Sequence, residues 1–239
     1  MELPKYFGRG IVLGMDSDGV ATAGYFVTGR SDSSRSRILV RDGQRIFTES
    51  TKPLREEDNP DLLIYDAMVW KARVPGYRDG IVAVSNGKQT HQVMGRWYAS
   101  KQDITESLND WNYEPDKGNN TARISGRILL PEDGMNPSLE LGIIRRGEGS
   151  SPLAEREQWI FRATRGVGYL LTTYRGNAPE GERLPPFVGQ PQKVSLEDAI
   201  TMSSMLATLH DLAGDPGLFV AAAVVKCDPG LFTADILLR

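Results

Sequence analysis

The chain has 239 residues, 40% of them hydrophobic and 25% charged, with a formal net charge of -3. That length suits one large domain over residues 1–239, and the composition is that of a folded soluble chain. Its charge balance gives no case for nucleic acid or an acidic membrane as a partner, and its apolar runs are too short for a signal peptide or a membrane span, so a cytoplasmic location is expected. A single cysteine, Cys227, excludes an internal disulfide and sits in an apolar run as a strand residue near the core. His91 and His210 have no Cys or His partner at metal-ligand spacing, and no metal or other cofactor is expected.

The first half of the chain reads as hairpins. Ile11, Val12 and Leu13 lead through Asp16-Ser17-Asp18-Gly19 to Tyr25-Phe26-Val27. Ile38-Leu39-Val40 and Arg45-Ile46-Phe47 flank Asp42-Gly43, a strong hairpin signal. Residues 68–74 and 80–84 form a third pair. A helix is expected around 92–100. A capping box at Asp103-Ile104-Thr105-Glu106 opens a short helix toward Trp111. Strands return at 122–130, 139–145, 158–163 and 169–174. The segment 175–192, with Pro179, Pro185, Pro186 and Pro191, reads as a long loop, either a binding loop or a passive excursion. Ser195-Leu196-Glu197-Asp198 opens a longer helix through Leu196, Ile200, Met205, Leu206, Leu209 and Leu212, closed by Gly214 and Pro216. Strands at 218–225 and 232–238 end the chain. Strands near both ends with helices between them predict a layered α+β domain.

Chemistry-bearing residues fall in a few clusters. Arg30, Arg35, Arg37, Arg41 and Arg45 form the densest basic stretch, interleaved with Ser31, Ser33, Ser34 and Ser36. Guanidinium forks, hydroxyls and loop N–H groups suit phosphate. Arg37, Arg41 and Arg45 read as the solvated face of a strand, whereas Arg30 and Arg35 lie in a turn, where function is commoner. Asn59-Pro60 precedes Tyr65, and Ser85-Asn86-Gly87 ends a strand. Glu114 follows Trp111 and Tyr113, surroundings that raise a carboxyl pKa toward neutrality. Thr121-Ala122-Arg123-Ile124 opens the next strand.

In this order the clusters resemble one family. Gly8-Arg9, Gly29-Arg30-Ser31 with Arg35, Asn59-Pro60 with Tyr65, Ser85-Asn86-Gly87, Tyr113-Glu114, Thr121-Ala122-Arg123-Ile124 and Thr173-Tyr174 are similar to motifs of the archaeal-type IMP cyclohydrolases. The resemblance is best over residues 7–130, and the Pro-rich loop looks like an insertion relative to compact members. It implies a four-layer αββα sandwich like that of the N-terminal-nucleophile hydrolases. It also implies dehydrative closure of 5-formamidoimidazole-4-carboxamide ribonucleotide to IMP in purine biosynthesis, without metal or organic cofactor. Met1-Glu2-Leu3-Pro4 offers no Ser, Thr or Cys at the chain start, so the amidase mechanism of those hydrolases is not expected.

On this resemblance Arg35, Tyr65 and Glu114 are the catalytic candidates. Arg35 would meet the formyl oxygen or the carboxamide, Tyr65 would carry a proton beside a cationic neighbour, and Glu114 would hold or deprotonate the amide nitrogen. Arg9, Arg30, Ser31, Asn86, Gly87, Thr121 and Arg123 are the substrate-binding candidates, with the arginines for phosphate and ribose and Asn86-Gly87 for the base edge. The partner is a small purine ribonucleotide, and the oligomeric state is open, a homo-oligomer included. Two other readings fit the same residues: a nucleotide-binding module without catalysis, and an amide hydrolase on the same scaffold.

Overall fold

A computed structural model describes residues 6–54, 56, 59–72, 80–116, 118–131, 136–147, 153–178, 182–228 and 231–239. The chain start, the turn of the third hairpin and Pro179 lie outside the described residues.

Two antiparallel sheets stack face to face. The first runs in the order Gln192–Ser195 (β11), Val167–Thr172 (β10), Arg9–Met15 (β1), Ala21–Thr28 (β2), Phe219–Asp228 (β12) and Leu231–Leu238 (β13). The second runs in chain order: Arg37–Asp42 (β3), Arg45–Ser50 (β4), Asp66–Lys71 (β5), Gly80–Ser85 (β6), Arg123–Leu130 (β7), Ser138–Arg146 (β8) and Ala154–Arg162 (β9). Alternation at period two builds the core between them. Ile11 and Leu13 of β1, Ala23, Tyr25 and Val27 of β2, Val82 and Val84 of β6, and Ile124 and Ile128 of β7 all join one buried cluster.

The expected αββα sandwich is not the fold. Among the described residues the helices are Asp32–Arg35 (α1), Pro60–Leu63 (α2), Thr90–Ser100 (α3), Ile104–Ser107 (α4) and Met202–Leu212 (α5), of which only α3 and α5 reach 11 residues. The protein is β-rich. One helix, α5, packs Met205, Leu206 and Leu209 against Val12 and Phe26 of the first sheet. α3 and the single turn of α4 cover Ile81 and Ala83 of the second. These cover parts of the outer faces and are too little helix to make layers. The reason lies in the sequence: most apolar stretches are short, alternate, and are broken by turn residues.

The hairpins and the Asp103–Glu106 capping box form as the sequence predicts. The helix expected from Ser195 does not. Ser195 ends β11, and Leu196 lies flat over Gly14 and Gly168, which are paired across β1 and β10. A Cβ at Gly14 or Gly168 would sit 2.5 or 2.9 Å from Leu196 Cδ1, so only glycine leaves the leucine room. The helix starts later, at a second capping signal, where Thr201 and Ser204 bond reciprocally. Cys227 is buried in β12, as expected. Among the described residues, no helix is long and apolar enough to cross a membrane.

Candidate functional site

The site lies at one end of the stacked sheets, where β1 begins, β6 ends and β7 begins. Arg9 is the first residue of β1 and shares the register of Ile11 and Leu13, so it belongs to the inter-sheet face. Its Nη2 donates to Glu114 Oε2 at 2.7 Å and to the Asn86 carbonyl at 3.4 Å. Arg123, the first residue of β7, approaches Glu114 Oε1 from the opposing sheet, at 3.8 Å. Its Nη1 donates to Gln89 Oε1 (3.1 Å), its Nε donates to the Asn112 carbonyl (2.7 Å), and its guanidinium lies over the Trp111 ring. Glu114 thus sits between two guanidinium groups from two sheets, with 1% of its surface exposed.

Burial pushes the Glu114 carboxyl above the usual carboxylate range, with Arg9 and Arg123 pulling it back down. Burial also works against the charge of Arg9, but Glu114 and the neighbouring tyrosines Tyr65, Tyr25 and Tyr174 outweigh it and hold the guanidinium firmly protonated. Burial lowers the Arg123 pKa, a fall that Glu114 offsets and Arg9 reinforces. Glu114 Oε1 and Arg9 Nε are buried without a hydrogen-bond partner. Polar atoms left this way cost stability, and a catalytic role, an ion or an ordered water is the usual account of them.

The remaining sequence candidates divide. Tyr65 is buried just ahead of β5, its hydroxyl 2.8 Å from that of Tyr25. Burial and Tyr65 push the Tyr25 phenol well up, against the pull of Arg9 and Arg37. Gly87 is the clearance at the centre: a Cβ there would lie 2.7 Å from both Arg123 Nη1 and Gln89 Oε1 and 3.3 Å from Glu114 Oε1. The Asn86 side chain is spent on the protein, donating to the Ala122 carbonyl and accepting from Ile124 N, so it braces the end of β6 against the start of β7. Thr121 Oγ1 meets Asp116 Oδ2 and the Tyr174 hydroxyl, each at 2.5 Å. Asn59 caps α2 by accepting from Asp61 N.

Arg30, Ser31 and Arg35 stand apart, in the exposed turn after β2. Ser31 caps α1, Arg35 donates to the Gly29 carbonyl, and Arg30 lies over the Tyr6 ring, 4.5 Å from its centre. Tyr6 stacks on Tyr174, which connects this turn to Thr121. Arg41 and Arg45 are exposed, as read from sequence. Arg37 is not: it is 5% exposed, bonded to the Ser34 carbonyl and close enough to act on Tyr25.

Tyr25 and Gln89 were missed. Tyr25 shares the inward register of Ala23 and Val27, and that parity was a usable signal. Gln89 has none: it follows the Asn86-Gly87 turn by two residues and becomes informative only once Arg123 is beside it.

The family described as IMP cyclohydrolase-like protein matches residues 6–223. The chain belongs to that family. No curated protein matches it. The match takes in both sheets except β13 and the end of β12, and with them Arg9, Gly87, Gln89, Glu114 and Arg123. A role related to IMP cyclohydrolase follows from membership. Among the described residues, no three or more His, Cys, Asp or Glu side chains group as a metal site.

Proposed function

We propose that this chain is an IMP cyclohydrolase, closing the six-membered ring of 5-formamidoimidazole-4-carboxamide ribonucleotide with loss of water. Family membership supports the substrate class. The observation that carries the chemistry is Glu114, a buried carboxyl with a raised pKa and one unpartnered oxygen, held between Arg9 and Arg123.

Ring closure joins the carboxamide nitrogen to the formyl carbon. One hydrogen leaves the carboxamide nitrogen and one the formamido nitrogen, and both depart with the formyl oxygen as water. Because the reacting groups belong to one molecule, proximity is largely supplied by the substrate, and the protein must fold it and manage protons and charge. Glu114, tuned toward neutrality, takes the amide proton and returns it to the departing oxygen. Arg9 and Arg123 are the fixed donors for negative charge growing on the formyl oxygen, the role the sequence reading gave to Arg35. Tyr65, hydrogen-bonded to Tyr25 and within the field of Arg9, relays the second proton.

Turnover of the formamido nucleotide, followed by ultraviolet absorbance of IMP, tests the reading. Wild type should form IMP, and Arg9→Lys should lose ~100-fold or more in kcat, as loss of a fixed charge donor does. Arg35→Ala should change the rate little. Tight IMP binding without turnover would instead mark a binding module, and release of formate without ring closure an amide hydrolase.

A further inference from the structure

Beside the buried cluster lies an open cleft of about 680 Å³, lined by Tyr113, Asp116, Asn120, Arg123, Arg146 and Arg183 among others. A smaller hollow of about 210 Å³ adjoins it, shares Asn120, Arg146 and Arg183, and adds Arg175. Topology gathers these cations. In the β7–β8 register Arg123 pairs with Ile144, which puts Arg146, two residues on, beside the 119–121 turn. Arg183 arrives from the Pro-rich segment.

Residues 182–188 of that segment form an anchored wall. Phe187 N donates to the Thr173 carbonyl, Arg175 N to the Pro185 carbonyl, Arg145 to the Phe187 carbonyl, and Leu184 is buried with Tyr6 and Tyr174.

The charge of the cleft is unbalanced. Among the described residues no carboxylate lies within salt-bridge distance of Arg146 or Arg183. Asp116, the acid in the wall, has both oxygens engaged by Thr121 N and Oγ1. The two guanidiniums converge instead on one neutral group, the Asn120 carboxamide: with the amide assigned so that its oxygen faces them, the orientation that satisfies both sides, that oxygen lies 2.8 Å from Arg146 Nη1 and 3.2 Å from both Nη atoms of Arg183. Asn120 holds a left-handed backbone, φ 50°, to reach this place. Arg146 Nε is buried without a partner. Convergent guanidiniums around a single acceptor, with a donor unspent, make a place for an anion with several oxygens.

We propose that Arg146 and Arg183, with Asn120 between them, form a phosphate site. On the reading above, from which the identity of the ligand follows, it holds the phosphate of the nucleotide while the base reaches past Arg123 to Glu114. Phosphate oxygens replace the Asn120 carboxamide oxygen on the two arginines, and the amide turns over to donate its NH₂ to the same anion.

Calorimetric titration with IMP, inosine and inorganic pyrophosphate, on wild type and on Arg146→Gln and Arg183→Gln, decides it. Arg183 is exposed in the loop, so its variant is expected to fold even where Arg146→Gln does not. Each variant should bind IMP ~10- to 100-fold more weakly, the worth of a hydrogen bond to a charged group, and inosine unchanged. IMP binding to wild type and to both variants with equal affinity overturns the phosphate site and leaves the nucleotide reading standing. Pyrophosphate binding that needs both arginines, with no binding of IMP, upholds the anion site and overturns the nucleotide reading. Failure of wild type to bind any of the three overturns both.

Discussion

Replacing Glu114 with Gln removes one charge and keeps nearly the same shape and an oxygen for Arg9. The attraction lost is large. At an effective dielectric of ~20, unit charges 2.7 Å apart, as Glu114 and Arg9 are, attract by about 6 kcal/mol, and the 3.8 Å approach of Arg123 adds about 4 kcal/mol. Against this stands the cost of taking a carboxylate out of water, several kcal/mol per ion and rising with completeness of burial. The raised pKa of Glu114 says that burial wins. Its folded-state pKa lies above its unfolded value, so its contribution to stability is fully present below the unfolded value, near ~4.3, and is lost as pH rises through the folded value. Urea unfolding of wild type and Glu114→Gln across pH 4 to 8 measures this. The stability of wild type minus that of the variant should fall as pH rises, and at pH 7 the variant should be within ~2 kcal/mol of wild type rather than the 3–5 kcal/mol lost when a favourable buried pair is broken. Ring-closing activity should nevertheless drop ~100- to 10,000-fold, the range for loss of a general acid–base. A difference that grows with pH would show the carboxylate to be depressed by its arginines and would refute the reasoning.

Gly87→Ala should displace Arg123 or Gln89, because the φ of Gly87 is not positive and the obstacle is purely the 2.7 Å approach of those two side chains; a loss of ~1–3 kcal/mol in chemical denaturation, with a larger proportional loss of kcat, is expected. Tyr65→Phe leaves the buried Tyr25 hydroxyl without its partner and should cost ~1–3 kcal/mol. Tyr25→Phe should cost about the same, and the double variant less than the two costs together, which a double-mutant cycle measures. Lys226→Met separates stability from chemistry: it strips Asp16 of a buried partner at 2.5 Å, far from Glu114 in the fold, and should lose ~3–5 kcal/mol by urea unfolding with kcat unchanged at temperatures where it stays folded.

Local signals carried the strands well, because each is a short alternating run bounded by turn residues, and Asp42-Gly43 or Asp16 to Gly19 needs no partner to act. They failed where two elements competed for one stretch. Ser195 has the spacing of a helix start, yet Leu196 gains more by filling the gap over Gly14 and Gly168, and those glycines are far away in sequence. The amount of helix was overestimated for a related reason: a family resemblance carries an architecture with it, while the apolar periodicity of this chain supports only α3 and α5 at length. Of the candidate site, Arg9, Tyr65, Gly87, Glu114 and Arg123 stand in motifs that the sequence shows. Asn86 and Thr121 were legible as important but not as braces, since their roles depend on which atoms already have partners. Arg146 and Arg183 were invisible, one at the end of a strand and the other in a Pro-rich loop, because what joins them is the register of β8 on β7 and the anchoring of that loop.

The distribution of charge in this arrangement does little for folding and suits an anion. Arg9 and Arg123 outnumber Glu114 in the buried cluster, and Arg146 and Arg183 face a neutral amide in the cleft beside it. By itself this excess is unfavourable: the Arg9 and Arg123 guanidiniums have lost most of their water, and the buried atoms Arg9 Nε, Arg146 Nε and Glu114 Oε1 have no hydrogen-bond partner. An anionic ligand offsets the arginine terms, since it supplies acceptors to their N–H groups and weakens their mutual repulsion, whereas Glu114 Oε1 needs a donor, such as an amide N–H of the same ligand. The donors are held by two sheets and by backbone carbonyls such as that of Asn112, so little further ordering is needed when the ligand arrives. Charge growing on a reacting oxygen next to Arg9 and Arg123 would be met in the same way, by dipoles and cations set in place during folding, which is the condition under which electrostatics lowers a barrier rather than merely tightening binding.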